Sequence, residues 1–253
     1  MEPVKRIWII GGSSGIGLEL VKLCLQNNYL VIVSSRNATN TDALLKLLID
    51  YPKKITLLNF DATCKDEIKD TVSKAWKIYN GIDIWFYNAG AYEIMGIDSW
   101  NNSKFEQMNE VNYLGVIRLM TELLPYFKNM GKGHWVWNSS LSSYFGLPQG
   151  GGYSAPKAAL VNLAESIQPE LDSINIKLQI INHGFVKTRL TAKNSFEMPQ
   201  LMEPKFTAKK IFEGIENSNS FEIRFPFLLS LFLRILKFLP YKFSLALTKK
   251  TLP

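Results

Sequence analysis

The sequence predicts a doubly wound α/β domain, a mostly parallel seven-stranded sheet with helices on both faces, followed by a C-terminal helical tail. Three observations carry that expectation. Short runs of β-branched and aromatic residues alternate along the chain with longer amphipathic stretches, the pattern of a parallel sheet with helical crossovers. The first apolar run, Ile7-Trp8-Ile9-Ile10, leads directly into the glycine-rich Gly11-Gly12-Ser13-Ser14-Gly15-Ile16-Gly17. Hydrophobic residues make up 47% of the 253, enough for a core on both faces of a sheet.

Taken in order, strands are expected at Val4–Ile10, Leu30–Ser34, Ile55–Asn59, Ile82–Tyr87, His134–Asn138, Lys177–Asn182 and Glu222–Phe225. Helices are expected at Gly15–Gln26, Thr41–Ile49, Lys65–Tyr79, Phe105–Lys128, Gly152–Leu171 and Ala208–Glu216. The helix from Gly152 is apolar on more than one face (Ala158, Val161, Leu163, Ala164, Ile167). One face suits the sheet and the other a partner subunit, so a homodimer is among the expectations. Pro156 is read as lying in that helix's first turn, where a missing N–H is tolerated. Residues 1–226 read as one domain, with 227–253 as an apolar, basic tail belonging to it.

Composition narrows the function classes. Cys24 and Cys64 are too few for a disulfide framework, and the first apolar run is too short, and too soon followed by glycines, for a signal peptide. The expectation is a cytosolic protein with reduced thiols. Of the net charge of +7, residues from Phe225 onward supply +5 (Arg234, Lys237, Lys242, Lys249, Lys250, with no acid), leaving +2 for the rest. A nearly neutral core argues against a nucleic-acid surface. His134 and His183 are the two histidines and stand in no Cys, Asp or Glu cluster, so no metal site is expected.

Two motifs carry chemistry. Glycines after a first strand let the backbone turn tightly and approach a pyrophosphate, whose charge rests on the N-terminus of the following helix. The spacing here, G-x-x-x-G-x-G, differs from G-x-G-x-x-G. Far downstream, Tyr153 and Lys157 stand four residues apart, on one face of a helix. A cation beside a phenol stabilises the tyrosinate and makes it a usable acid or base near neutral pH.

With Asp61, Asn88-Ala89-Gly90, Asn112, Ser140 and the stretch Gly184 to Thr188, these motifs make the chain resemble a compact short-chain dehydrogenase/reductase from Val4 to about Pro226. Two positions depart from the family pattern. Ile10 stands where a threonine usually precedes the first glycine. His183 replaces a proline before Gly184, which is expected to loosen the loop that follows.

The resemblance implies a Rossmann-like nucleotide-binding and catalytic domain and assigns roles residue by residue. Gly11, Ser13, Ser14, Gly15, Ile16 and Gly17 would hold the cofactor phosphates. Asp61 would meet the adenine amino group, with a helix N-cap before Lys65 as its competing reading. Asn88, Ala89 and Gly90 would let the cofactor approach the backbone. Tyr153 would be the general acid/base, Lys157 would tune it and hold the nicotinamide ribose, and Ser140 would polarise the substrate oxygen. Asn112 would position a water linking Lys157 to solvent. Val186, through its backbone, and Thr188 would hold the carboxamide. Ser139 is set aside because its spacing to Tyr153 is one residue too long.

Cofactor choice is read from the end of the second strand. A carboxylate there would suit the ribose hydroxyls of NAD, but the chain offers Ser34-Ser35-Arg36-Asn37. Arg36 can pair with a 2′-phosphate, so NADP(H) is expected, with an exposed loop charge as the competing reading. Leu141, Tyr144, Phe145, Leu147, Phe185, Phe196, Met198, Leu201 and Met202 read equally as an apolar substrate wall or as core. An apolar or aromatic carbonyl or alcohol is the expected substrate. Gly150-Gly151-Gly152 is expected to add flexibility or space beside Tyr153.

The expected activity is NADP(H)-dependent interconversion of a carbonyl and a secondary alcohol. A catalytically silent cofactor-binding regulatory or scaffold protein of the same fold is the alternative. In the tail, Ser230, Arg234, Lys237, Tyr241, Ser244 and Thr248 recur at steps of four and three, a polar stripe on one apolar helix or on two divided at Pro240. Packing as a lid or subunit contact is the preferred reading, and peripheral contact with a membrane is the other.

Overall fold

The structure of the chain, a computed structural model, describes residues 4–251. Met1–Pro3 and Leu252–Pro253, where the expected domain begins and the expected tail ends, lie outside the described residues.

Seven strands form one sheet: β1 (Arg6–Ile10), β2 (Leu30–Ser35), β3 (Ile55–Asn59), β4 (Ile84–Tyr87), β5 (Gly133–Asn138), β6 (Ile176–His183) and β7 (Glu222–Phe225). They lie in the order β3-β2-β1-β4-β5-β6-β7, and every neighbouring pair is parallel. The chain therefore leaves the β3 edge and re-enters the sheet at β4 on the other side of β1. That reversal opens a crevice beyond the carboxyl ends of β1 and β4, where doubly wound sheets bind ligands. Gly11 and Asn88 follow directly on the paired strand ends Ile10 and Tyr87.

Alternation along the strands divides the core into two layers. Ile7, Ile9, Val31, Val33, Phe86 and Ile181 face α1 (Gly15–Gln26), α2 (Asp42–Asp50) and α7 (Pro204–Asn217). Trp8, Trp85, Trp135, Trp137 and Tyr87 face α3 (Ile68–Ile78), α5 (Gly115–Met130) and α6 (Gly151–Asp172). The indoles of Trp85 and Trp135 meet edge to face at 5.3 Å, an arrangement the ring quadrupoles favour.

Where the elements depart from the sequence reading, the causes are local. The single helix expected over 105–128 is α4 (Asn102–Asn109), a π-helical turn (Glu110–Leu114) and α5. The buried Tyr87 hydroxyl donates to the Val111 carbonyl at 2.6 Å, which draws that group out of the α-helical ladder. α6 opens at Gly151, so Pro156 lies in the second turn rather than the first. Gly152 supplies no free space: a Cβ there would lie 2.4 Å from Met108 Cε, so this glycine lets α6 pack closely on α4. β6 runs on through His183, which pairs with Phe225, and Gly184 N–H donates to the Phe225 carbonyl at 2.9 Å. His183 thus extends a strand instead of loosening a loop.

The tail is two helices divided at Pro240, α8 (Phe227–Phe238) and α9 (Tyr241–Lys249). α8 rests on the domain through Leu233 and Leu236, which cluster with Leu141. Arg234 pairs with Glu222 on β7 and lies over the Tyr144 ring, 5.1 Å from its centroid. Glu222 also accepts from the Tyr144 hydroxyl and from Asn182 Nδ2. Among the described residues no helix is long and apolar enough to cross a membrane.

Candidate active site

The glycine turn is built by contacts that admit no side chain. Gly11 takes φ +83° and donates its N–H to the Ser34 carbonyl at 2.7 Å. Its own carbonyl accepts from Asn88 Nδ2 at 2.9 Å, and a Cβ on Gly17 would fall 2.2 Å from that carbonyl oxygen. Ser14 is the N-cap of α1, with extended backbone and a side chain that makes no capping bond. Ser13, Ser14, Gly15 and Ile16 line a cleft of about 700 Å³ across the carboxyl ends of the strands. The unpaired N–H groups of the first turn of α1 make this an anion-binding end.

The same cleft reaches Arg36 at one side and Ser140, Tyr153 and Lys157 at the other. Arg36 is exposed. Asp61 Oδ1 accepts from the backbone N–H of Thr63 at 2.9 Å and from its hydroxyl at 2.8 Å. That is an Asx turn, not the N-cap of the helix beginning near Lys65, whose cap residue is Cys64. Asn88 also accepts from Asn138 Nδ2 at 2.8 Å, which ties the glycine turn to the end of β5. Ala89 and Gly90 line the cleft beside it.

Beyond β5 the two serines separate. Ser139 Oγ donates to the Lys157 carbonyl at 3.2 Å and is wholly buried. Ser140 Oγ accepts from Ser142 N–H at 3.2 Å, which leaves its own proton to be donated toward the Tyr153 phenol oxygen. α6 brings Lys157 Nζ to 5.8 Å from the centroid of the Tyr153 ring. Burial pushes the Tyr153 phenol up to about 12; the Ser140 hydrogen bond opposes this, and Tyr92 adds to it. Burial alone brings Lys157 down to about 7. The Ser140 hydroxyl acts on the phenol in the lowering direction. Asn112 is fully buried in the π-helical turn; its amide donates to the Ala91 carbonyl at 2.8 Å and accepts from Ala91 N–H at 3.1 Å. Its side chain thereby fixes the segment after β4.

The loop after β6 closes over the glycine turn: a Cβ on Gly15 would lie 3.2 Å from Thr188 Cγ2. The Thr188 N–H donates to Thr191 Oγ1 at 3.0 Å, and the Val186 carbonyl accepts from that same hydroxyl. Val186 also bridges to Met202. Burial lowers His183 to about 4 and His134 to about 3, so both imidazoles are neutral near pH 7. Among the described residues no group of three or more His, Cys, Asp or Glu side chains is placed to hold a metal ion.

Of the expected substrate wall, Leu141, Leu147, Phe185 and Phe196 line the cleft. The others do not. Tyr144 is drawn to Glu222 and Phe145 joins the cluster under α8, while Met202 is core and Leu201 is exposed. Met198 is instead a hydrogen-bond acceptor for Asn194 Nδ2.

Several cleft residues went unnoticed in the sequence. Asn138 gives its main-chain carbonyl to Lys157 Nζ at 2.6 Å, a bond with no side-chain signature. Tyr92 meets the Tyr153 ring edge to face at 5.1 Å and donates to Asn194 Oδ1 at 2.7 Å. Its only sequence signal is its place two residues after Gly90. Leu229 and Leu233 come from the tail.

The residues present fit a nicotinamide dinucleotide: an anion-binding helix end, backbone free of Cβ atoms at the turn, and a cation at the end of β2 lie along one cleft. A family model for short chain dehydrogenase matches residues 5–198, and the chain belongs to that family. It is 30% identical over 193 residues to a dehydrogenase/reductase SDR family protein 7-like of Drosophila melanogaster, covering 75% of this chain and 59% of that relative. An uncharacterized oxidoreductase of Myxococcus xanthus is 28% identical, with 92% of this chain and 91% of the relative covered. Solved structures share the fold. A short-chain dehydrogenase from Streptomyces avermitilis superposes with TM-score 0.83 at 22% identity, covering 98% of each chain. One from Burkholderia cenocepacia, in complex with NADP, gives 0.82 at 18% identity, covering 99% of this chain and 98% of that one.

Proposed function

We propose that this protein is an NADP(H)-dependent oxidoreductase that interconverts a carbonyl compound and a secondary alcohol by hydride transfer, with Tyr153 as general acid/base. The observation that carries the reading is the single cleft joining the glycine turn to Ser140, Tyr153 and Lys157. When bound, the nicotinamide supplies or accepts the hydride. Ser13, Ser14, Gly15, Ile16 and the α1 N-terminus hold the phosphates. Arg36, with no carboxylate beside it at the end of β2, takes the 2′-phosphate, and the NADP complex of the Burkholderia relative is in keeping with that choice.

The proton chemistry follows from the side chains. A phenol raised by burial keeps its proton near pH 7, which suits a donor to a carbonyl oxygen during reduction. With a carbonyl compound bound, Ser140 turns its hydroxyl proton from the phenol to the same oxygen and polarises it. Lys157, protonated, stabilises the tyrosinate left behind, and at about 7 it can exchange its own proton near neutrality. Leu141, Leu147, Phe185, Phe196, Leu229 and Leu233 make the substrate end apolar, favouring an apolar or aromatic carbonyl compound. The free thiols of Cys24 and Cys64 suit a cytosolic setting.

The test is purified protein, a panel of apolar aldehydes and ketones, and NADPH absorbance. NADPH oxidation dependent on a carbonyl compound is expected. Failure to bind NADPH in calorimetry overturns the reading.

A further inference from the structure

The tail helices are turned inside out. On α8 the residues facing away from the domain are Phe227, Leu228, Leu231, Phe232, Ile235 and Phe238, between 44% and 86% exposed. They follow the i, i+3, i+4 spacing of one helix face, and no polar residue falls among them. Ser230, on the opposite face, is buried. α9 repeats the inversion: its buried residues are Ser244 and Thr248, while Phe243, Leu245 and Leu247 stand out. Of the polar stripe read from the sequence, Ser230, Ser244 and Thr248 lie buried on the protein side and Arg234 is half-buried, while Lys237 and Tyr241 are exposed. The Arg234–Glu222 pair holds α8 in that orientation. An exposed apolar face such as that of α8 marks an interaction site.

Charge decides between occupants. Lys237, Lys242, Lys249 and Lys250 are exposed around this face, and residues 226–253 contain no Asp or Glu. Two copies meeting face to face would bring these cations together with no acid to pair them. A bilayer bearing anionic headgroups neutralises them while its acyl region takes up the phenylalanines and leucines. A helix of 12 residues is about 18 Å long against a hydrocarbon core of about 30 Å, so α8 lies on the membrane rather than across it.

We propose that α8 and α9 form a peripheral membrane contact, with the apolar face in the interface of a bilayer containing anionic phospholipid. The inner side of α8 supplies Leu229 and Leu233 to the cleft, so this contact sets the cleft beside the lipid surface.

Co-sedimentation of the full-length protein with vesicles tests this. The expected result is binding to phosphatidylcholine vesicles containing phosphatidylserine, weakened at high salt and much weaker without phosphatidylserine. Phe232→Asp/Ile235→Asp changes only exposed positions. It should keep the parent melting temperature and lose at least tenfold in vesicle binding. Changing Lys237, Lys242, Lys249 and Lys250 together to Gln should remove the preference for phosphatidylserine. Absence of binding to either vesicle, or binding unaltered in the double-aspartate variant, overturns the proposal. So does a dimer in sedimentation velocity that the double-aspartate variant dissociates while the parent ignores vesicles, since a second copy then covers the face.

Discussion

Lys157 reaches the main-chain carbonyl of Asn138 at 2.6 Å, while its ammonium stands 5.8 Å from the centroid of the Tyr153 ring. The bond ties the Tyr153–Lys157 face of α6 to the end of β5, two residues before Ser140. The ammonium is almost wholly buried and has no carboxylate partner at ion-pair distance among the described residues. Buried without such compensation, an ammonium loses its proton more readily.

Replacing Lys157 with methionine removes a buried cation while keeping most of its volume. We expect the cofactor-free variant to melt no lower than the parent at pH 7, while turnover falls at least a hundredfold. Between pH 7 and 10.5 the unfolded lysine holds a proton that the folded one has released. The parent must therefore gain stability relative to the variant as pH rises through that window. Denaturant titrations at pH 7 and pH 9 check this, and a gap independent of pH would show that the folded lysine titrates normally.

Tyr153→Phe takes away the proposed proton donor and leaves the ring against Tyr92. Turnover should fall by about 10²–10⁴, the usual contribution of a positioned acid, with NADPH affinity within a few fold of the parent. Steady-state rates and calorimetry on the same preparation separate the two effects. Comparable turnover in parent and variant would shift the acid role to another group.

Arg36→Ala should weaken NADPH by about ten- to a hundredfold, the range for losing a charge-assisted hydrogen bond, and leave NADH nearly unchanged. Calorimetry with both dinucleotides measures the contrast. Equal loss for both would mean that Arg36 acts on a group common to them.

The fold could be read because its signals are local: β-branched runs, amphipathic periods, and glycines where a strand turns into a helix. The placing of Tyr153 and Lys157 together along the cleft could be read for the same reason, since they lie one helical turn apart. What escaped depends on contacts between distant segments. The π-helical turn holding Asn112 accompanies a bond from Tyr87 to the Val111 carbonyl, 24 residues further along the chain. The Asn138 carbonyl is a backbone group, and any residue supplies one. In the tail, the spacing of Ser230, Arg234, Lys237, Tyr241, Ser244 and Thr248 gave a stripe but not its direction, which Glu222 and Tyr144 help to fix from other elements through Arg234.

Two glycines offer the sharpest contrast. A Cβ on Gly17 would lie 2.2 Å from the Gly11 carbonyl oxygen and 2.8 Å from Asn88 Nδ2, so Gly17→Ala must displace the backbone of the turn. Overpacking of this kind costs about 1–3 kcal/mol, which in a chain of this size lowers Tm by roughly 2–12 °C. NADPH affinity should fall more than tenfold, because the displaced turn is the one proposed to hold the phosphates. Gly151 opens α6, and a Cβ there meets nothing within 4 Å. Gly151→Ala should therefore leave Tm unchanged or raise it slightly, by restricting the unfolded chain. Thermal melts of both variants, followed by NADPH titration, provide the check. Equal behaviour of the two would mean that the turn yields without strain and that its glycines are not fixed by packing.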